Sequence, residues 1–432
     1  MPPGSSGAVA LSAIRSPAGR KPLDCPIVSM LWADSTRETE VVIKRISSAF
    51  GPIWTGHKVV VIAVSAVAVV AIVAGGVLVA VNSGGTAQAT PSASPSGSPI
   101  AVASPSASDT PIPFPSETPD LGGSTPLPTG YAYAALDGVA APANLANRLP
   151  MAVSIGDNAV ARPQSGFSSA SIVYQSFEEY SEDRYMMIFQ EGTATDIGGV
   201  RSGRLYYVRW AAEYKALYAH DGGDTKTLSQ VIPAMRSYFY DENASNGGSC
   251  PYHRITTRVA PHNEYTNSAA LIGCLARRGY PTTYQGGPGR PFVDDALPAA
   301  RPASQSITVP YHTVTVGYQY DPKSDSYLRL LNGKLQIDPA NNQQVFARNI
   351  IVMFQTVSND YVDFGIQRID IGNVGSGKAI IFKEGRAITA TWKKASNQAL
   401  TRYYDDSGNE IPLVRGEIFM QSVPPGTAVT YK

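Results

Sequence analysis

Charge of one sign is what this sequence most lacks. Its 432 residues hold 35 Lys and Arg against 34 Asp and Glu, a net charge of +1, so no global field concentrates nucleic acid or a strongly acidic partner around it. Nucleic acid is therefore not an expected ligand. Cysteine is equally scarce, with only Cys25, Cys250 and Cys274, and neither a Cys-x-x-Cys pair nor His-Glu-x-x-His occurs, so no metal is expected from ligand spacing. The chain also has no Gly-x-Ser-x-Gly elbow and no Ser-x-x-Lys pair, which removes the usual serine-nucleophile signatures. No cofactor and no catalytic residue is indicated.

Against these absences stands one long apolar run. Positions 59–81 read VVVIAVSAVAVVAIVAGGVLVAV, long enough at helical rise to cross a hydrocarbon core of about 30 Å. Lys44, Arg45 and Lys58 precede it, while 82–109 contains no Lys or Arg, which orients the N-terminus inward. The expected layout is a disordered cytoplasmic tail (1–57), a transmembrane helix (58–82) and a disordered Pro/Ser/Thr-rich stalk (83–138), too poor in apolar surface to offset chain entropy. The protein is thus read as a single-pass protein of the cytoplasmic membrane, its C-terminal domains outside. Cys25 then lies in the reducing compartment, whereas Cys250 and Cys274 lie outside and form a candidate disulfide.

The rest reads as α+β: a mixed α/β domain (139–285), a linker (286–307) and a mainly antiparallel β domain (308–432). Strands are expected at 151–155, 172–177, 185–190 and 216–220, and helices at 202–214, 225–235 and 266–278, the first capped by Ser202. In the second domain, strands at 314–320, 327–331, 349–355, 378–382, 387–393, 401–404 and 417–422 are separated by turns at Asn332-Gly333, Glu384-Gly385 and Asp406-Ser407-Gly408.

The punctuation between elements in the first domain is distinctive. Asp157-Asn158, Ala161-Arg162-Pro163-Gln164-Ser165-Gly166, Gly199-Val200-Arg201-Ser202-Gly203-Arg204, His220-Asp221-Gly222-Gly223 and Ala260-Pro261-His262-Asn263-Glu264-Tyr265-Thr266 together resemble the YerB-like lipoprotein family, which has a two-part extracytoplasmic region. The resemblance covers about 147–281 and 314–429. It implies a cell-envelope protein without an established activity. Two departures stand out: no cysteine lies just after the apolar run to carry a lipid, and Glu179-Tyr180-Ser181-Glu182-Asp183-Arg184 replaces the family's Glu-Gly-Gly-Ile-Thr-Arg.

Arg201 and Arg204 flank an expected helix start, where free backbone N–H groups and a guanidinium fork suit carboxylate or phosphate. Pairing with Glu178, Glu179 or Glu182 is the structural alternative. Asp157, Asn158, Arg162, His220, Asp221, His262 and Asn263 complete the candidate ligand-binding set, and His220 with Asp221 leaves open an acid–base site. The leading expectation is a binding protein for wall polymer or a wall-assembly protein, the rival an envelope hydrolase using the His/Asp groups. Gly372-Asn373-Val374-Gly375-Ser376-Gly377-Lys378 fits a nucleotide loop formally, but Ala379 replaces the metal-binding hydroxyl and an apolar strand follows, so no nucleotide is expected.

Overall fold

The computed structural model describes residues 127–179, 182–246 and 251–432. The expected cytoplasmic tail, the transmembrane segment and the stalk as far as 126 lie outside these residues. Among the described residues no helix is long and apolar enough to cross a membrane. The described chain is mostly β, with few helices.

A ten-stranded sheet organises it. Its strands, numbered along the chain, are β1 (Met151–Gly156), β2 (Ile172–Phe177), β3 (Asp183–Phe189), β4 (Leu217–His220), β5 (Tyr240–Asn243), β6 (Asn349–Phe354), β7 (Gly375–Lys383), β8 (Arg386–Lys394), β9 (Arg402–Tyr404) and β10 (Ile418–Val423). They lie in the order β9-β8-β7-β6-β10-β2-β3-β1-β4-β5. Both halves of the sequence contribute to it, and they meet where β10 pairs in parallel with β2, from Ile418 opposite Ile172 to Gln421 opposite Gln175. The boundary anticipated around 286–307 is therefore crossed by a continuous hydrogen-bonded sheet.

β1, β2, β3 and β10 are buried at every position, as expected of strands covered on both faces. The period-two geometry of a strand sorts their side chains. Ile351 and Met353 of β6 point to one core with Tyr174, Met186 and Met420, roofed by helix α1 (Leu205–Glu213) through Leu205, Tyr206 and Trp210. Ile350 and Val352 point to the other with Val173, Met187 and Phe419. That face is covered by an antiparallel sheet built on Ser306–Pro310, Thr315–Asp321 and Ser326–Leu331, and by Leu271 and Leu275 of helix α2 (Ser268–Arg278). Asn267 caps α2 by accepting from the Ala270 N–H at 2.8 Å, and Gly279 closes it at positive φ.

Several expectations change. Residues assigned to the stalk are already folded: Tyr131–Tyr133 pairs with Ala140–Pro142, and Leu136 enters the core beneath α1. The linker is packed as well, because Phe292–Val293 pairs in parallel with Leu413–Val414. Helix α1 starts at Leu205, so Ser202 is not its cap; Arg204 takes that position without a side-chain cap bond. The helix expected over 225–235 is a π-helical turn, Thr227–Val231, followed by Ile232–Met235. A hairpin, Val357–Asp363 with Ile366–Ile371, was not anticipated.

Charge pins α1 to the second half. Glu213, at its C-terminal end, accepts from Lys394 Nζ at 2.6 Å, Arg290 Nη2 at 2.8 Å, and Thr401 N and Oγ1, both at 2.9 Å. All three charged side chains are essentially inaccessible to solvent. Replacing Glu213 with Ala leaves two buried cations without their counter-charge and is expected to destabilise the protein by about 3–5 kcal/mol. Chemical denaturation measures this, and a loss below about 1 kcal/mol would contradict the assignment.

Candidate functional site

β1 and β4 are parallel neighbours, and the carboxyl ends of such strands are where open sheets present ligand groups. The segment 197–204 lies across these ends and ties the surrounding loops together through its backbone. Gly198 exchanges hydrogen bonds with Ser165, Gly156 N donates to Gly199 O at 3.1 Å, and Val200 N donates to Glu264 O at 2.8 Å. Arg201 N donates to Ser154 O at 2.9 Å, Asp221 N donates to Arg201 O at 3.0 Å, and Gly203 N donates to Gly222 O at 2.9 Å. The glycine-, proline- and charge-rich loops singled out in the first half are thereby drawn to one edge. Two glycines permit the approach. A Cβ on Gly156 would stand 2.7 Å from Arg201 Cγ, and one on Gly199 would stand 2.9 Å from the His262 carbonyl oxygen.

The candidate side chains divide into spent and unspent groups. Asp157 is buried and accepts from Arg162 Nε at 2.7 Å and Gln164 Nε2 at 2.8 Å, so Asp157 and Arg162 satisfy one another. Asn158 caps a single turn by accepting from Ala161 N at 3.0 Å. Arg204 turns inward: its Nε donates to Glu179 Oε2 at 2.9 Å and its Nη2 to Glu178 Oε1 at 2.5 Å. Arg184 also pairs with Glu178. The anion expected beside Arg204 is thus supplied by the chain's own carboxylates, and this residue is structural.

His220 is fully buried, with Nδ1 2.6 Å from Gly222 O and Nε2 2.9 Å from Asp241 Oδ1. Its carboxylate neighbour is Asp241, not Asp221, and both ring nitrogens are occupied. Asp221 instead accepts from Ser245 Oγ at 2.7 Å and faces Arg254 at 3.7 Å. Asn263 Oδ1 accepts from Arg254 Nη1 at 2.8 Å. The anticipated acid–base pair is therefore not formed between His220 and Asp221. Among the described residues no group of three or more His, Cys, Asp or Glu side chains is arranged to hold a metal ion.

What is left unspent is cationic. Arg201 is half-buried, and its guanidinium has no hydrogen-bond or ion-pair partner among the described residues. Burial lowers its pKa from the ordinary arginine value, with Arg184 and Arg204 adding repulsion and Glu178 and Glu182 opposing it. His262 lies close enough to feel Arg201 and Arg258. Burial, then the charge of Arg201, hold its imidazole below the usual histidine range, with Glu182 opposing and Arg258 adding to the fall, and its buried Nδ1 has no partner among the described residues. Arg258 donates only to the Ala161 and Pro163 carbonyls, at 2.6 and 2.5 Å, and has no carboxylate partner among the described residues. Arg201, His262 and Arg258 thus form a basic patch, opposed by Glu182 and, at Arg201, by Glu178 as well. Arg258 was missed from sequence; it stands just before the Ala260-Pro261-His262 run that was noticed. Cys274 is fully buried on α2 and disulfide-bonded, while Cys250 lies outside the described residues.

Comparison with known proteins accords with this arrangement of motifs. Residues 136–281 match the N-terminal domain, and 307–420 the C-terminal domain, of the family described as protein of unknown function DUF3048. The chain belongs to this two-part, YerB-like family. It is 28% identical over 295 residues to the Bacillus subtilis (strain 168) protein YerB, named as a lipoprotein, covering 67% of this chain and 86% of that one. The crystal structure of Bacillus subtilis YerB superposes with a TM-score of 0.61 at 25% identity, covering 70% of this chain and 99% of that chain.

Asp183 is a further titrating group. Buried at the start of β3, it accepts from Thr313 N at 3.2 Å and Oγ1 at 2.9 Å, while its Oδ1 has no partner among the described residues. Burial pushes this carboxyl up to about 7; Thr313 opposes the rise and the charge of Asp157 adds to it.

Two outcomes are expected. Arg204→Ala leaves Glu178 and Glu179 buried beside one fewer cation and should cost about 3–5 kcal/mol, whereas Arg201→Ala should change stability by less than about 0.5 kcal/mol. Equal melting temperatures for the two variants would refute the division. For Asp183 the folded pKa exceeds the unfolded one, so its contribution is full below about pH 4 and is lost as pH rises through about 7. Asp183→Asn should remove that decline, seen by comparing denaturation midpoints of variant and parent at about pH 5 and about pH 8; parallel pH profiles would contradict it.

Proposed function

We propose that this chain is a membrane-anchored, extracytoplasmic envelope protein that binds an anionic group, the phosphate or carboxylate of a wall polymer, at Arg201, His262 and Arg258. The exterior location rests on the charge-free run at 59–81 with its basic inner flank, and on kinship with a protein named as a lipoprotein. Binding, rather than turnover, is supported by the spent state of His220 and Asp221.

The observation that carries the reading is the unpaired guanidinium of Arg201. A half-buried charge held against Gly156, with no partner among the described residues, keeps its donors available. An incoming anion would supply the hydrogen bonds and counter-charge that Arg204 obtains internally. His262 Nδ1 adds a further polar atom, and the patch sits on a backbone-braced edge that needs little reorganisation.

Sedimentation of the full-length protein with purified cell-wall sacculi provides the test, with and without prior removal of phosphate-bearing polymer. Arg201→Ala is expected to weaken binding about tenfold or more at unchanged melting temperature, and Arg258→Ala to weaken it less. Loss of binding after phosphate removal identifies phosphate as the anion, and retention identifies carboxylate. Undiminished binding by Arg201→Ala would defeat the proposal.

A further inference from the structure

The glycine-rich run at 372–378, formally like a nucleotide loop, enters strand β7 (Gly375–Lys383) instead of a helix. Its residues nevertheless border two adjoining grooves. One, of about 570 Å³, is lined by Ser376, Lys378, Phe354, Trp392 and Pro425 among others. The second, of about 450 Å³, is walled by Arg209, Asn373, Ser396, Asn397 and Gln398. Gly372 and Val374 line both, so the two share a rim.

The lining has a consistent chemistry. It contains no carboxylate. Arg209 is spent on Asp370, at 2.7 and 3.1 Å, which leaves Lys378 as the available charge. Ser376, Ser396, Asn397 and Gln398 make no side-chain hydrogen bond among the described residues. Asn373 is 1% exposed; its Nδ2 donates to Tyr206 O at 3.2 Å, but its buried Oδ1 has no donor among the described residues. An acceptor left dry in this way is costly unless a ligand or water donates to it. Beside these amides and hydroxyls lie the apolar surfaces of Phe354, Val374 and Pro425, while Trp392, only 3% exposed, borders the groove from within the core, its Nε1 donating to Phe354 O at 3.1 Å.

We propose that this double groove is a binding site for an oligosaccharide. Sugar hydroxyls both donate and accept, as free Asn, Gln and Ser side chains require, and a pyranose ring offers a C–H face to the apolar wall. Together the grooves have the size and the mixed lining of a small-ligand site, and their common rim suits a chain of linked rings rather than one ring. Apart from Arg209 of α1, the lining comes from the second half of the sequence, and none of it belongs to the basic patch.

Titration of the full-length protein with tetra-N-acetylchitotetraose, followed by calorimetry and by tryptophan fluorescence, tests the assignment. Saturable binding with a change in tryptophan emission is expected. The double substitution Asn397→Ala/Gln398→Ala should weaken it about tenfold or more without altering the melting temperature, and Arg201→Ala should leave it unchanged, which separates this site from the anion site. Absence of saturable binding at millimolar sugar, or affinity insensitive to the double substitution, would overturn the proposal; if that variant proves unstable, Ser376→Ala gives the same reading.

Discussion

The parallel pairing of β10 with β2 is the contact on which the rest of the structure depends. β10 lies close to the C-terminus and β2 in the first half, yet they run side by side from Ile418–Ile172 to Gln421–Gln175. Parallel neighbours cannot be joined by a tight turn, so this ladder closes only when most of the chain is in place. Once it forms, each half loses one of its two open sheet edges, and the two cores on either face become common property of both sequence segments. The Glu213 cluster with Arg290, Lys394 and Thr401 fixes the helical layer across the same seam.

Because the central strands of the sheet are buried on both faces, their ends can hold loops in unusual proximity. The segment 197–204 exploits this by meeting the ends of β1 and β4 with backbone hydrogen bonds rather than side chains. Side chains along it are then free to differ in fate. Arg204 is drawn inward by Glu178 and Glu179, where burial makes the pairing obligatory. Arg201, three residues earlier, is held out over Gly156 with no such partner among the described residues. A stability role and a ligand role are thus separated within one short motif by which way the backbone turns.

Much of the fold was legible because buried strands and turns carry local signatures. The strand Ile172–Phe177 matches its expectation in both bounds, and Asn332-Gly333 and Glu384-Gly385 are turns with both residues at positive φ. The errors share a physical cause. The helix expected from Ser202 begins at Leu205 because Arg204 is held in an extended conformation and committed to distant glutamates; Ser202 O instead accepts from Ser154 and Arg184. The folded character of Leu136 and Arg290 was hidden because each is buried by segments remote in sequence.

By itself, the sequence determined that a long charge-free run precedes a proline-rich stretch, that two segments of different texture follow, and that their loops carry the marks of the YerB-like family. These are properties of composition, periodicity and order, which need no partner in space. Only the tertiary structure decided that both segments build one sheet, that Asp241 rather than Asp221 faces His220, and that Arg201 stays unpaired among the described residues where Arg204 does not. Those outcomes depend on distances between residues far apart in the chain, and charge compensation in a buried site is settled by which groups packing brings within a few ångströms.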